Sequence, residues 1–277
     1  GLDGFKLDFI DRALQPGELC KISIIVTLSK YVSDCMDKEG KFRGLGYIIK
    51  TTMYCAVPTV LVMMQPDFGT AFVFICIMVF IYFIGRISWG YILTAAGGLA
   101  VCMPLAYYFV LSDSQRERID VFINPESDLQ NSGYNVAQSK IAIGSGQLTG
   151  KGFFSEGTLA QLRFVPERHT DFIFAGIVEG LGFVGGTIII CLFFALIFRW
   201  IYIAMRTKDS FGTCLVVGVA GMFTAHVFEN IGMTIGLMPV TGIPLPFISY
   251  GGSNLLTNLI GVGIVENVWM RRQSKKR

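Results

Sequence analysis

Histidine is nearly absent from this chain: His169 and His226 are the only two in 277 residues, too few for a histidine-rich metal site. Paired cysteines are missing as well. Cys20, Cys35, Cys55, Cys76, Cys102, Cys191 and Cys214 form no CxxC pair and lie mainly within apolar runs. They read as small core residues, not as a disulfide framework or a metal cluster. Charge is scarce too, with 16% charged against 52% hydrophobic residues and a mean hydropathy of +0.56, which excludes a soluble domain of average make-up. The formal net charge of +3 says little about partners, and nucleic acid is not expected among them.

Long apolar sequence, by contrast, is abundant. Runs of about 20 residues, enough to cross roughly 30 Å of hydrocarbon, lie near residues 46–64, 68–85, 89–111, 172–198, 211–233 and 244–268. A seventh stretch, 18–34, carries Glu18, Lys21 and Lys30. Alone it has the look of an interfacial helix; flanked by six spans, it is expected to turn a polar face into a bundle. The expected fold is all-α, a polytopic membrane helical bundle of seven transmembrane helices forming one integral-membrane domain over residues 1–277.

Basic residues gather at alternate helix ends: Lys38, Lys41 and Arg43, then Arg86, then Arg199, Arg206 and Lys208, then Arg271, Arg272, Lys275, Lys276 and Arg277. The positive-inside rule makes these ends cytoplasmic. Gly1 is then outside, the C-terminus cytoplasmic, and residues 112–168 an extracytoplasmic loop, expected to be ordered and to lie on the membrane surface. A chain that starts with Gly on the outer side, with neither Met nor a signal peptide, is expected to be the latter part of a longer protein whose first helices are missing.

The segment Pro166-Glu167-Arg168-His169-Thr170-Asp171-Phe172-Ile173-Phe174 runs from consecutive polar residues straight into an apolar helix. Asp171 thus stands where water meets lipid, a place where an ionisable residue either binds something or pairs with something. The competing reading is a helix start, with Thr170 as N-cap and an acid in the first turn. In the long loop, Gly146-Gln147-Leu148-Thr149-Gly150-Lys151 superficially resembles a nucleotide phosphate loop. That motif needs a wider glycine spacing and a hydroxyl residue after the lysine. Two readings stay open: glycine amides that join Lys140 and Lys151 in holding phosphates of a membrane-anchored ligand, or a flexible glycine turn with solvated lysines.

Two further motifs, Gln15-Pro16-Gly17-Glu18-Leu19-Cys20-Lys21 and Gln65-Pro66-Asp67-Phe68-Gly69-Thr70, place proline and an acid at helix starts. Capping accounts for both features but not for Lys21, a cation in an early turn. It wants an anion, whether Asp67, Glu18, Asp171 or a phosphate. Three prolines and three glycines within Met238 to Ser253 keep the backbone irregular at membrane depth, so this turn borders a groove. Glu179, His226, Glu229, Asn230, Asn254 and Asn258 either line that groove or bond between helices; for His226 and the asparagines the second reading is favoured.

Taken together, Gln15-Pro16-x-Glu18, Gln65-Pro66-Asp67-x-Gly69-Thr70, Gly133-Tyr134 with Gln138-Ser139, Pro166 to Phe174, and Pro244-Leu245-Pro246 through Ser253 resemble the SEDS family (shape, elongation, division and sporulation). These are the polytopic glycosyltransferases of bacterial peptidoglycan synthesis. Gly150-Lys151-Gly152, Gly157-Thr158 and Pro166-Glu167-Arg168-His169 resemble the RodA branch more than the FtsW branch. The resemblance implies the latter part of a ten-helix fold in the bacterial cytoplasmic (inner) membrane, polymerising lipid II into glycan strands during cell elongation. It further implies a class B penicillin-binding protein as transpeptidase partner, Asp171 as the catalytic residue, and functional roles for Lys21 and Asp67. Departures are Gly17 for the usual Ser, Leu159 where Gln is common, Gly180 after Glu179 where a second Glu is common, and no Arg-Trp element in Gly1 to Leu14.

For that chemistry Asp171 is the expected general base of an inverting displacement. Lys21, Lys140, Lys151 and Arg168 are the expected cations for the pyrophosphate. Asp67, His169 and Glu179 complete the substrate-binding set. No cofactor or protein metal site is expected with certainty; a divalent cation such as Mg or Mn could share the charge of the pyrophosphate. The rival classes are a transporter that flips lipid-linked precursors and a non-catalytic scaffold for wall synthesis.

Overall fold

A computed structural model describes residues 15–40, 44–65 and 67–88, scattered positions between 90 and 122, and residues 132–152 and 170–274. Among the described residues the regular structure is helical throughout. In chain order the helices are α1 (Pro16–Glu39), α2 (Leu45–Met63), α3 (Phe68–Ile84), α4 (Ser132–Ser145), α5 (Ile173–Arg206), α6 (Ser210–Thr234) and α7 (Gly252–Ser274). The chain divides into two compact units, the first made of Gly1–Arg86, Phe194–His226 and Pro246–Arg277, the second of Ile87–Phe193 and Val227–Leu245.

In the first unit α1 starts with Pro16, where the missing N–H is harmless. It stops at Gly40, whose left-handed φ of 72° lets its N–H cap the Met36 carbonyl. Lys21, Ile25, Leu28, Val32 and Cys35 recur every three or four residues and are all buried, forming the stripe of an inward-facing helix. The helix packs against α2, α3 and α7. On α2 the buried face is Ile48, Thr51, Cys55 and Thr59, while Ile49, Met53, Val57, Val60 and Leu61 are exposed. So much bare apolar surface is a liability in water and the normal state of a helix in lipid. Between α2 and α3 the buried Tyr82 hydroxyl meets Thr51 Oγ1 at 2.7 Å and Thr52 Oγ1 at 2.9 Å, a polar tie between otherwise apolar helices.

By length and composition α2, α5 and α6 can each cross a membrane, and α3 is a shorter apolar helix of 17 residues. The fold is thus an all-α, membrane-spanning one. Helices α1, α2, α3, α5 and α6 match the runs at 18–34, 46–64, 68–85, 172–198 and 211–233. The run at 244–268 departs: its helix begins only at Gly252 and continues to Ser274. Pro244 and Pro246 lack the N–H groups a helix needs, and Phe247 adopts a φ of 63°, so the backbone stays irregular through this stretch. The run at 89–111 lies largely outside the described residues. Within 112–168 the structure places the helix α4, anchored where buried Ser139 donates to the Thr234 carbonyl at 2.8 Å.

Helix α5 is not continuous. Gly182, with φ 72° and ψ −172°, leaves the helical region and breaks it into two segments. The break would strand the carbonyls of Glu179 and Gly180 and the N–H groups of Phe183 and Val184. Residues 147–152 take up all four. Lys151 and Gly152 donate to the Glu179 and Gly180 carbonyls at 3.0 and 2.9 Å, and Phe183 and Val184 donate to the Gln147 and Leu148 carbonyls at 2.8 and 3.2 Å. Backbones approach this closely only without side chains: a Cβ on Gly146, Gly150 or Gly182 would overlap the main chain opposite.

Candidate functional site

In the first unit the functional candidates gather at the start of α1. Lys21 Nζ donates to Glu18 Oε1 at 2.6 Å and lies 2.9 Å from His226 Nε2. The three are 0%, 3% and 1% exposed, so the ammonium is enclosed and its charge is balanced beside it. Of the anions weighed from sequence for Lys21, Glu18 is thus a partner by geometry. His226 supplies the interhelical bond expected of it. One residue before α1, the Gln15 N–H donates to Ser253 Oγ at 2.9 Å, which joins the Gln15-Pro16 motif to the Gly251-Gly252-Ser253 motif at the start of α7. Asp67 caps α3: its Oδ1 accepts from the Thr70 N–H at 3.0 Å. Pro66 of that motif lies outside the described residues.

In the second unit Asp171 sits in the turn that leads into α5. The helix starts at Ile173, so the reading of Thr170 as N-cap with Asp171 in the first turn shifts by two residues. What holds this turn is its backbone. Asn230, fully buried on α6, donates from Nδ2 to the carbonyls of both Asp171 and Ile243, each at 2.8 Å. The amide thereby ties the Asp171 turn to the irregular segment before α7. The asparagines are expected to bond between helices; Asn230 instead bonds two stretches of non-helical main chain. Next along, Phe172 is buried with Val136, Ala142 and Ala175, against which Ile143 and Val240 pack. Asp171 itself is only half-buried, and a Cβ at Gly242 would lie 3.5 Å from its Oδ2. Residue 242 is a glycine because its φ of 75° is one that side chains rarely adopt.

Two of the expected cations belong to the same unit. Lys151 Nζ is 3.8 Å from Oε1 of the buried Glu179, and Ser145 Oγ donates to the same oxygen at 3.4 Å. Lys140 is exposed on α4, with its side chain beside Gly236. The glycine amides are a correction. Gly150, Lys151 and Gly152 spend their N–H groups on the carbonyls of Gly146, Glu179 and Gly180, so they form neither a phosphate cradle nor a loose turn but the seat of a broken helix. Arg168 and His169 lie outside the described residues. Among the described residues no three His, Cys, Asp or Glu side chains gather in a way that could hold a metal ion.

The sequence match decides the kinship of this site. The FtsW/RodA/SpoVE family of cell cycle proteins has a family model that matches residues 5–274. The chain belongs to this family. Among its FtsW/RodA/SpoVE relatives, the chain is 40% identical to the peptidoglycan glycosyltransferase MrdB of Escherichia coli (strain K12), covering 94% of this chain and 69% of MrdB. It is 38% identical to the stage V sporulation protein E of Bacillus subtilis (strain 168), covering 92% and 68%. Among solved structures, a peptidoglycan synthase complex described as coordinating polymerization and crosslinking superimposes with a TM-score of 0.74 at 28% identity, over 94% of this chain and 70% of that one. The rod shape determining protein RodA of Thermus thermophilus superimposes with a TM-score of 0.63 at 26% identity, over 94% and 66%. An FtsW/RodA/SpoVE chain with three helices apolar enough to span a bilayer among its described residues is a bacterial membrane protein.

Proposed function

We propose that this chain is a peptidoglycan glycosyltransferase that polymerises lipid II during cell elongation. The observation that carries the reading is Asp171: a half-buried carboxylate beside Gly242 at the mouth of α5, in a chain 40% identical to MrdB. In the proposed step the Asp171 carboxylate takes the proton from the acceptor sugar hydroxyl. The freed oxygen attacks the anomeric carbon of the donor, the bond to the lipid pyrophosphate breaks, and the configuration inverts. Lys140, Lys151, Arg168 and Lys21 are the proposed counter-charges for the leaving pyrophosphate. Glu179 orients Lys151, Asp67 fixes the start of α3, and His169 contacts substrate. A divalent cation, Mg or Mn, is proposed to share the charge of the pyrophosphate.

Residues 112–168 and Asp171 are proposed to face the outer side of the cytoplasmic membrane, with the C-terminus in the cytoplasm. A class B penicillin-binding protein is proposed as the partner that crosslinks the product. Reconstituted full-length protein given lipid II in the accessible leaflet tests the reading. Glycan polymer from wild type and none from Asp171→Asn supports it. Movement of lipid between leaflets without polymer points to a transporter, and an Asp171→Asn variant that sustains wall growth points to a scaffold.

A further inference from the structure

The proposed function gives His226 no part, yet its ring nitrogen lies 2.9 Å from the Lys21 ammonium at a site where both side chains are almost wholly enclosed. An ammonium has three donors and no acceptor, so a neutral imidazole can meet it only through an unprotonated nitrogen. That fixes the tautomer: Nε2 carries the lone pair and Nδ1 the hydrogen. Glu18 Oε1 takes a second donor of the same ammonium at 2.6 Å. Glu18 and His226, on two different helices, thus both accept from the Lys21 ammonium and bear on where its charge points.

We propose that His226 is a positioning residue for glycan polymerisation, an acceptor that holds the Lys21 ammonium in one place. The functional half of this inference rests on the reading of Lys21 given above; the geometric half does not. With Lys21 as a counter-charge of the leaving group, a shift of its charge by an ångström is expected to slow the chemical step by about 10²-fold without a comparable change in substrate affinity.

Two experiments on the full-length protein test it. In polymerisation of fluorescent lipid II in proteoliposomes, His226→Leu is expected to lower kcat by about 30- to 100-fold while KM moves by less than about 3-fold. His226→Gln, whose amide oxygen reaches the position of Nε2, is expected to recover most of that loss. A His226→Leu enzyme as fast as wild type, or a His226→Gln enzyme as slow as His226→Leu, overturns the proposal. In parallel, nitrogen-15 histidine spectra, with the His226 signal assigned by its loss in His226→Gln, are expected to show hydrogen on Nδ1 and none on Nε2. The Glu18→Gln, Lys21→Met double variant removes both charges together and is expected to shift that tautomer. Hydrogen on Nε2 in the wild-type protein overturns the proposal whatever the activity. Absence of polymer from wild type would instead defeat the assigned reaction and leave the spectra to decide the contact.

Discussion

Lys21 and Asp171 are both ionisable groups set among apolar helices, and the structure holds them in opposite ways. Lys21 is closed in, and side chains fix it: Glu18 and His226 surround its charge. Asp171 is half-exposed, and it is held through its main chain: the Asn230 side-chain amide donates to its carbonyl, Phe172 is buried next to it, and Gly242 lies beside its carboxylate. An enclosed charge is neutralised where it stands, whereas a partly exposed one can be fixed through its backbone. The same contrast recurs at Gly182, where a lost stretch of helix is replaced by main chain from residues 147–152 and not by side chains.

Mutations that break each kind of support sharpen the contrast. The largest expected loss of stability is from Gly150→Ala, about 4 kcal/mol, because a Cβ there overlaps the Gly180 carbonyl and unseats the loop from α5. Thermal unfolding in detergent measures it. Next is Glu18→Gln, about 3 kcal/mol, since it leaves the buried Lys21 ammonium without its balancing charge. Polymer yield should fall with it. Asn230→Ala is expected to cost about 2 kcal/mol by removing the buried amide that donates to two carbonyls. It should also slow turnover more than Glu18→Gln does at matched folded fraction, because it loosens the Asp171 turn. Asp67→Ala should cost about 1 kcal/mol, the worth of a helix cap, with polymerisation measured on the folded protein separating a cap from a substrate contact.

Much of this was legible from apolar runs and helix-start chemistry. Five of the seven runs fall in helices, though α1 and α5 extend to Glu39 and Arg206 and α5 is broken at Gly182, and Asp67 caps α3 as its motif implied. Glu18 and Lys21 are three residues apart, a spacing that brings them together on any helix. His226 is 205 residues further along, and nothing local announces its arrival at Lys21. The break at Gly182 was hidden for a related reason. Glycine among Leu181, Phe183 and Val184 fits an unbroken membrane helix equally well, and the hydrogen bonds that repay the break come from residues some thirty positions earlier. The glycines at 146, 150 and 152 did stand out, but spacing alone could not tell a ligand cradle from a seat for another part of the chain. The start of α7 lies later than its apolar run because that run includes Pro244 and Pro246, which have no N–H to give.

Asp171 is proposed to supply a base and not a scaffold. The direct test is the single-turnover rate of glycan bond formation by Asp171→Asn, measured beside lipid II binding by the same sample. The expected result is binding within about 3-fold of wild type and a rate lower by about 10²- to 10⁴-fold, the usual range for a lost general base. A rate within tenfold of wild type at unchanged binding would contradict the account.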